Sequence, residues 1–201
     1  MDFYFGLVII FCWIVFLVYW TINAKRVKPS QEVKKGTWIY KSVFLYLLIA
    51  IALAYRLLLM IGCKAKIFVC NNNLYTLPIN SLPAIEYLSV FLIVLGLIVA
   101  ILARKKLADN WSSVVDYKTS HKLITTGFYK YMRHPIYTGF LLMGFGTFLF
   151  FNVKNLCMVF AVGIIFLVIR IRKEEELMSK HFPKEYPEYK KKVKAIIPYI
   201  F

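Results

Sequence analysis

The length of its apolar runs constrains this chain more than any other feature. Phe3 to Ile22, Ser42 to Ile61 and Ile85 to Leu102 are hydrophobic almost throughout. Each is long enough to cross a bilayer core, which takes about 20 residues of helix. Lipid offers no hydrogen bonds to the backbone, so such runs are expected to satisfy their amides internally, as α-helices. Two shorter runs, Ile136 to Phe151 and Leu156 to Ile171, are separated only by Asn152, Val153, Lys154 and Asn155. A connection that short implies an antiparallel helical hairpin. The expected fold is therefore an all-α integral membrane protein of about five transmembrane helices. At 201 residues, 60% hydrophobic and 17% aromatic, with a mean hydropathy of +0.64, one compact bundle is expected rather than two globular domains.

The distribution of cations gives a sidedness. Lys25, Arg26, Lys28, Lys34 and Lys35 follow the first span, Arg104, Lys105 and Lys106 the third, and Arg170, Arg172 and Lys173 the fifth. The positive-inside rule puts these regions on the cytoplasmic side, and the N-terminus, the loop from Gly62 to Pro83 and the short hairpin turn outside. The net charge of +16 is thus spent on topology and on lipid headgroups, and no nucleic-acid partner is expected. The first run has no basic leader or small-residue cleavage site and reads as an anchor. Cys12, Cys63, Cys70 and Cys157 lack metal-ligand spacing, so no metal is expected, while a Cys63–Cys70 pair stays open beside free thiols. Arg56 is expected to snorkel to the outer headgroups and Glu86 to sit at the interface. Asn110 heads a glycosylation triplet on the wrong side for use.

Topology alone does not explain the stretch Thr125 to Gly139, TTGFYKYMRHPIYTG. Pro135 suits the first turn of the fourth span, because proline has no amide hydrogen to lose there. His134 then becomes the cap residue. The unpaired amides of that turn, with Arg133 beside them, predict an anion-binding corner at the membrane surface. Tyr137 projects from the same turn, and Gly139 lets a bulky group approach the backbone. Gly144 and Gly146 are read as helix-packing positions. A second polar cluster, Arg170, Arg172, Glu174 and Glu175, ends the fifth span, and a tight hairpin must bring it opposite the first. After it, Pro187 is a plausible helix start. Tyr189, Val193, Ile196 and Ile197 then recur at helical spacing against Lys190, Lys191, Lys192 and Lys194, which predicts a basic amphipathic helix on the membrane, able to cap a pocket.

Taken together, WSSVVDYKTSHKLITTGFYKYMRHPIYTG and EEELMSKHFPKEYPEYKKKVKAIIP resemble the isoprenylcysteine carboxyl methyltransferase family and its phospholipid methyltransferase relatives. The resemblance covers roughly the C-terminal half. It rests on His121 and Leu123, Gly127 and Tyr129, the Arg133-to-Gly139 motif and the later glutamate pair. Phe128 and Pro183 depart from the family's usual residues in loops. The resemblance implies residues 1–103 as N-terminal transmembrane helices and 104–201 as a methyltransferase-like region. It also implies a cytoplasmic catalytic site built from the last hairpin and the tail.

The implied cofactor is S-adenosylmethionine. Its expected contacts are His121, Leu123, Gly127, Tyr129, Arg133, His134, Tyr137, Gly139, Glu174 and Glu175; Arg170, Arg172 and Glu175 are the expected catalytic groups. Carboxylates suit the ribose hydroxyls or the amino group, Arg133 and His134 the cofactor carboxylate, and the Tyr137 ring the adenine or the sulfonium. No GxGxxG precedes a helix, which excludes the soluble dinucleotide-fold design. A lipophilic acceptor entering from the bilayer is expected, with an isoprenylcysteine carboxylate held by Arg170 or Arg172. Membrane lipids are the other expected partners, and no oligomeric state is read from these residues. Competing readings are a phospholipid N-methyltransferase, with His134 or a glutamate as base, a sterol-reductase-like NADPH enzyme and a non-enzymatic membrane scaffold.

Overall fold

A computed structural model of the protein describes residues 2–25, 83–107, 123–151 and 154–198. All of them fall in one compact unit, comprising Met1–Ser30 and Leu77–Phe201. The expected second span, Arg56, Cys63, Cys70, Asn110 and His121 lie outside the described residues, as does the side chain of Cys157.

The described chain is helical: α1 (Asp2–Lys25), α2 (Pro83–Leu107), α3 (Pro135–Phe151), α4 (Lys154–His181) and α5 (Glu185–Lys192), with a short 3-10 turn at Gly127–Lys130. The first two are long and apolar enough to cross a membrane; α3 is apolar but shorter. They correspond to the runs expected from Phe3, Ile85 and Ile136. Both α2 and α4 continue past their apolar runs, because the Arg, Lys and Glu residues that follow are good helix formers. In α4 the fifth run and the EEELMSKH segment are one uninterrupted helix.

Helices α2 and α3 form the tightest seam. A Cβ added at Gly139 would lie 2.5 Å from the Gly96 carbonyl oxygen and 2.9 Å from the Ala100 Cβ, and one added at Gly96 would meet the Gly139 carbonyl at 2.5 Å. Small residues let the two backbones touch, the usual solution where lipid removes the hydrophobic drive between helices. The space opened by Gly139 is thus filled by α2, and the structure assigns this glycine to packing rather than to the expected ligand approach. Gly146, against Ser89 and Ile93, and Gly144, against the Phe160 ring, pack as expected.

Helix α1 completes the bundle. The Trp13 indole donates to Thr147 Oγ1 at 3.1 Å, and Phe16 lies fully buried between Trp20 and Phe140. Arg104, buried in the last turn of α2, donates to the Asn23 carbonyl at 3.4 Å, placing a cation where the α1 dipole is negative. Phe11 at 64%, Phe91 at 60% and Phe166 at 62% exposure face outward. So many large apolar side chains turned away from the core identify a lipid-facing surface.

The tail departs from expectation. Helix α5 begins two residues before Pro187 and stops at Lys192, and Val193 is already extended (φ −121°, ψ 133°). Val193, Ile196 and Ile197 therefore do not form the apolar stripe of a surface helix. Residues 193–197 form a strap instead, with Lys194 in a parallel bridge to Met132. Ala195 and Ile196 are buried with Leu167 and Ile171, against Tyr137, Phe140 and Leu141. A β-branched residue after a run of lysines is a poor helix continuation, and the amides of Arg133 and His134 offer the strap's carbonyls better partners.

Candidate active site

Helix α3 starts as its sequence dictates. Pro135 is its first residue and is buried, and the His134 carbonyl accepts the first intrahelical bond, from the Thr138 amide at 3.1 Å. The two amides just before the helix are satisfied by the strap: Arg133 N donates to Lys194 O at 2.8 Å and His134 N to Ala195 O at 2.9 Å. Thr138 Oγ1 adds a bond to Ile196 O at 2.8 Å. These bonds hold the Arg133–His134 corner rigidly over the end of α4.

The two expected clusters meet there. Arg133 donates to Glu175 Oε1 from Nε at 2.8 Å and from Nη2 at 2.6 Å, with both side chains only 9% exposed. Its Nη1 donates to the Val193 carbonyl. Lys190 Nζ lies 2.6 Å from Glu175 Oε2, and His134 Nε2 lies 3.3 Å from Oε1. Since an ionised carboxylate only accepts, this places a proton on Nε2. Burial alone would raise the Glu175 pKa. The hydrogen bonds from His134, Lys190 and Arg133 outweigh it and hold the carboxyl down at about 2.

The corner expected to receive an external anion is therefore occupied by the protein's own carboxylate. Arg133 acts as a clamp joining the start of α3, α4 and the strap.

One residue along α4, Glu174 faces the other way. Its Oε1 accepts from the Tyr137 hydroxyl and from Arg170 Nε at 3.1 Å, one helical turn earlier. Arg170 Nε also reaches the Tyr137 oxygen at 2.7 Å, with its guanidinium 5.8 Å from the Tyr137 ring centre. The ring in turn stacks on His134 at 5.6 Å and 18°, whose Nδ1 is 3.8 Å from Glu174 Oε2. Glu174 remains a quarter exposed. A partly exposed carboxylate, an aromatic face and an imidazole thus lie side by side.

Other expected site residues hold the frame. Gly127 has φ 68°, a left-handed conformation that glycine tolerates, and turns the chain into the 3-10 segment. Tyr129 is buried and its carbonyl accepts from the Tyr189 hydroxyl; burial pushes the Tyr129 phenol well up, so it stays neutral. Leu123 is half-buried at the edge of the described chain. Arg172 is exposed and lines a groove with Lys190 and Lys194, on the side of the Arg133–Glu175 clamp. Sequence reasoning missed Lys190, Thr138 and the strap. A buried arginine beside a glutamate signals ion pairing, but nothing local in the lysine run singles out Lys190.

The fold and site define a helical membrane protein whose polar chemistry sits where a hairpin of helices leaves the apolar layer. Comparison with known proteins shows what this chain resembles. A model of the isoprenylcysteine carboxyl methyltransferase (ICMT) family matches residues 89–180, and this stretch holds Arg133, His134, Tyr137, Arg170, Glu174 and Glu175. A probable protein-S-isoprenylcysteine O-methyltransferase of Oryza sativa subsp. indica is 32% identical over 124 residues, 58% of this chain and 62% of that protein. The protein-S-isoprenylcysteine O-methyltransferase of Saccharomyces cerevisiae (strain ATCC 204508 / S288c) is 36% identical over 116 residues, 56% of this chain and 48% of that protein. The solved eukaryotic intramembrane Ras methyltransferase ICMT aligns with a TM-score of 0.52 at 27% identity, covering 59% of this chain and 46% of that one. The chain thus spans about half to three-fifths of the length of these relatives.

Proposed function

We propose that this protein is an S-adenosylmethionine-dependent methyltransferase that esterifies the carboxylate of a prenylated cysteine at the cytoplasmic membrane surface. The observation that carries the reading is the polar cluster of Tyr137, Arg170, Glu174 and His134, built from the part of the chain that matches the family. In this reading residues 104–201 carry the site, residues 1–103 form its membrane wall, and five spans leave the N-terminus outside.

The residues fit the cofactor's chemistry. A cationic sulfur and an ammonium group favour a partly exposed carboxylate and an aromatic face, which Glu174 and Tyr137 supply side by side. His134 is the polar group positioned for the cofactor's other end. Bound there, S-adenosylmethionine supplies an electrophilic methyl group.

The chain's own residues do the rest. Arg170 brings positive charge beside Tyr137, against which a carboxylate acceptor settles. Such an acceptor is already ionised near neutral pH and needs no general base. Tyr137 and Glu174, fixed by Arg170, hold the reacting groups in line, and alignment supplies much of the acceleration in a bimolecular displacement. Tyr137 packs against the apolar cluster of Leu167, Ile171 and Ile196, a low-polarity flank that favours a reaction in which opposite charges annihilate. Glu175, Arg133 and Lys190 position His134 and the strap.

The test is incubation of the purified protein with methyl-labelled S-adenosylmethionine and a farnesylated cysteine. Label released as methanol by mild base is the expected result. Base-stable label in the lipid fraction would move the acceptor to a phospholipid amine. Absence of transfer, together with a thermal shift by NADPH and none by S-adenosylmethionine, would sink the methyltransferase reading.

A further inference from the structure

We infer that the groove between α4, α5 and the strap binds the phosphate of an anionic phospholipid. The groove has a volume of about 420 Å³, room for on the order of ten waters and so for a phosphodiester. Its floor is apolar, made by Val168 and Ile171 of α4 and Ala195 of the strap, and its rim is cationic, made by Arg172, Lys190 and Lys194; the Arg133–Glu175 pair closes the remaining side.

Lys190 is committed to Glu175 at 2.6 Å. The side chains of Arg172 and Lys194 have no hydrogen bond or ion pair among the described residues. Glu175, the carboxylate in the lining, is taken up by Arg133 and Lys190, so among the described residues Arg172 and Lys194 flank the apolar trough as two cations without an anionic partner.

The floor favours a lipid over a free anion. Val168 and Ile171 belong to the apolar run of α4, beside the exposed Ile165, Phe166 and Ile169, so the trough opens along the surface that faces acyl chains. Arg172 follows Ile171 directly, at the level where that run gives way to charge. A phosphodiester with its chains in the bilayer and its anionic oxygens between Arg172 and Lys194 satisfies both parts of the groove, as basic pockets at the cytoplasmic ends of membrane helices do. The site is distinct from the Tyr137–Glu174 space, and the assignment does not depend on methyl transfer.

Native mass spectrometry of the full chain, titrated with phosphatidylglycerol or phosphatidylcholine and no methyl donor, tests this. Phosphatidylglycerol is expected to be retained, and the double variant Arg172→Gln/Lys194→Gln is expected to retain it roughly tenfold more weakly. Lys180→Gln/Lys191→Gln removes two exposed cations elsewhere and should leave retention unchanged. Equal retention by wild type and the groove variant would overturn the assignment, as would an equal loss in the control pair, which would mean diffuse charge attraction. Displacement of the lipid by inorganic phosphate at comparable concentration would reject a lipid source. If the double variant fails to fold, Lys194→Glu, which reverses one exposed rim charge, must lower retention on its own for the inference to stand.

Discussion

The two junctions made by α3 are built on opposite plans. Against α2 it presents glycine, so that backbones meet and a single added carbon collides with main chain. Against α4 and the strap it presents Arg133, His134 and Tyr137, and the elements are joined through side-chain hydrogen bonds. The first junction leaves room for nothing else and acts as a wall. The second keeps its elements a side chain apart, and that spacing is what gives a reaction site room, charge and orientation.

Substitutions should separate the two. The largest effect is expected at Glu175→Ala, which leaves Arg133 and Lys190 facing each other without their carboxylate; a loss of about 3–5 kcal/mol should appear in detergent unfolding together with loss of turnover. Retained stability would break the claim that Glu175 holds this junction. Acid should reproduce part of that effect. The Glu175 pKa is depressed to about 2 from the ordinary glutamate value of 4.5, so its contribution is complete above pH 4.5 and is lost as pH falls toward 2, on the order of 3 kcal/mol in all. Unfolding of Glu175→Gln should show a correspondingly flatter pH dependence over that interval.

At the other junction, Gly139→Ala should cost about 2 kcal/mol by forcing the helices apart, while the fraction that folds keeps its kcat. A variant of normal stability but no activity would return Gly139 to the reaction site. Tyr137→Phe sharpens the contrast, because it removes only the hydroxyl that links Arg170 to Glu174. A roughly tenfold fall in kcat/KM with little change in melting temperature is expected. The smallest effect, below about 0.5 kcal/mol, is expected for Gly144→Ala, whose added carbon meets the edge of the Phe160 ring at 3.1 Å rather than backbone.

How much of this was legible in the sequence follows the same division. The apolar runs beginning at Phe3, Ile85 and Ile136 predicted helices close to those observed, since burial in lipid demands nothing more specific than length and hydrophobicity. Pro135 marked the start of α3, and the short connection between two apolar runs was enough to bring Arg133 and His134 opposite Glu174 and Glu175. The tail was misread because Val193, Ile196 and Ile197 fit a helical stripe equally well. Their conformation is decided by the amides of Arg133 and His134, donors about sixty residues away whose need for carbonyls no local pattern displays. Long-range pairing also gives Arg133 an internal anion, Glu175, which its own segment does not display. Gly139 was noticed for its missing side chain, but which neighbour would use the space depended on α2.

The strap also makes the site a late product of the chain. Its carbonyls reach back about sixty residues to Arg133 and Thr138, and α3 and α4 both precede it in the sequence. Synthesis proceeds from the N-terminus, so the corner at Arg133 and His134 cannot acquire its backbone partners until the strap has left the ribosome. A chain truncated just before Lys194 would keep both helices and lack a finished corner, which makes the strap the element that completes the site.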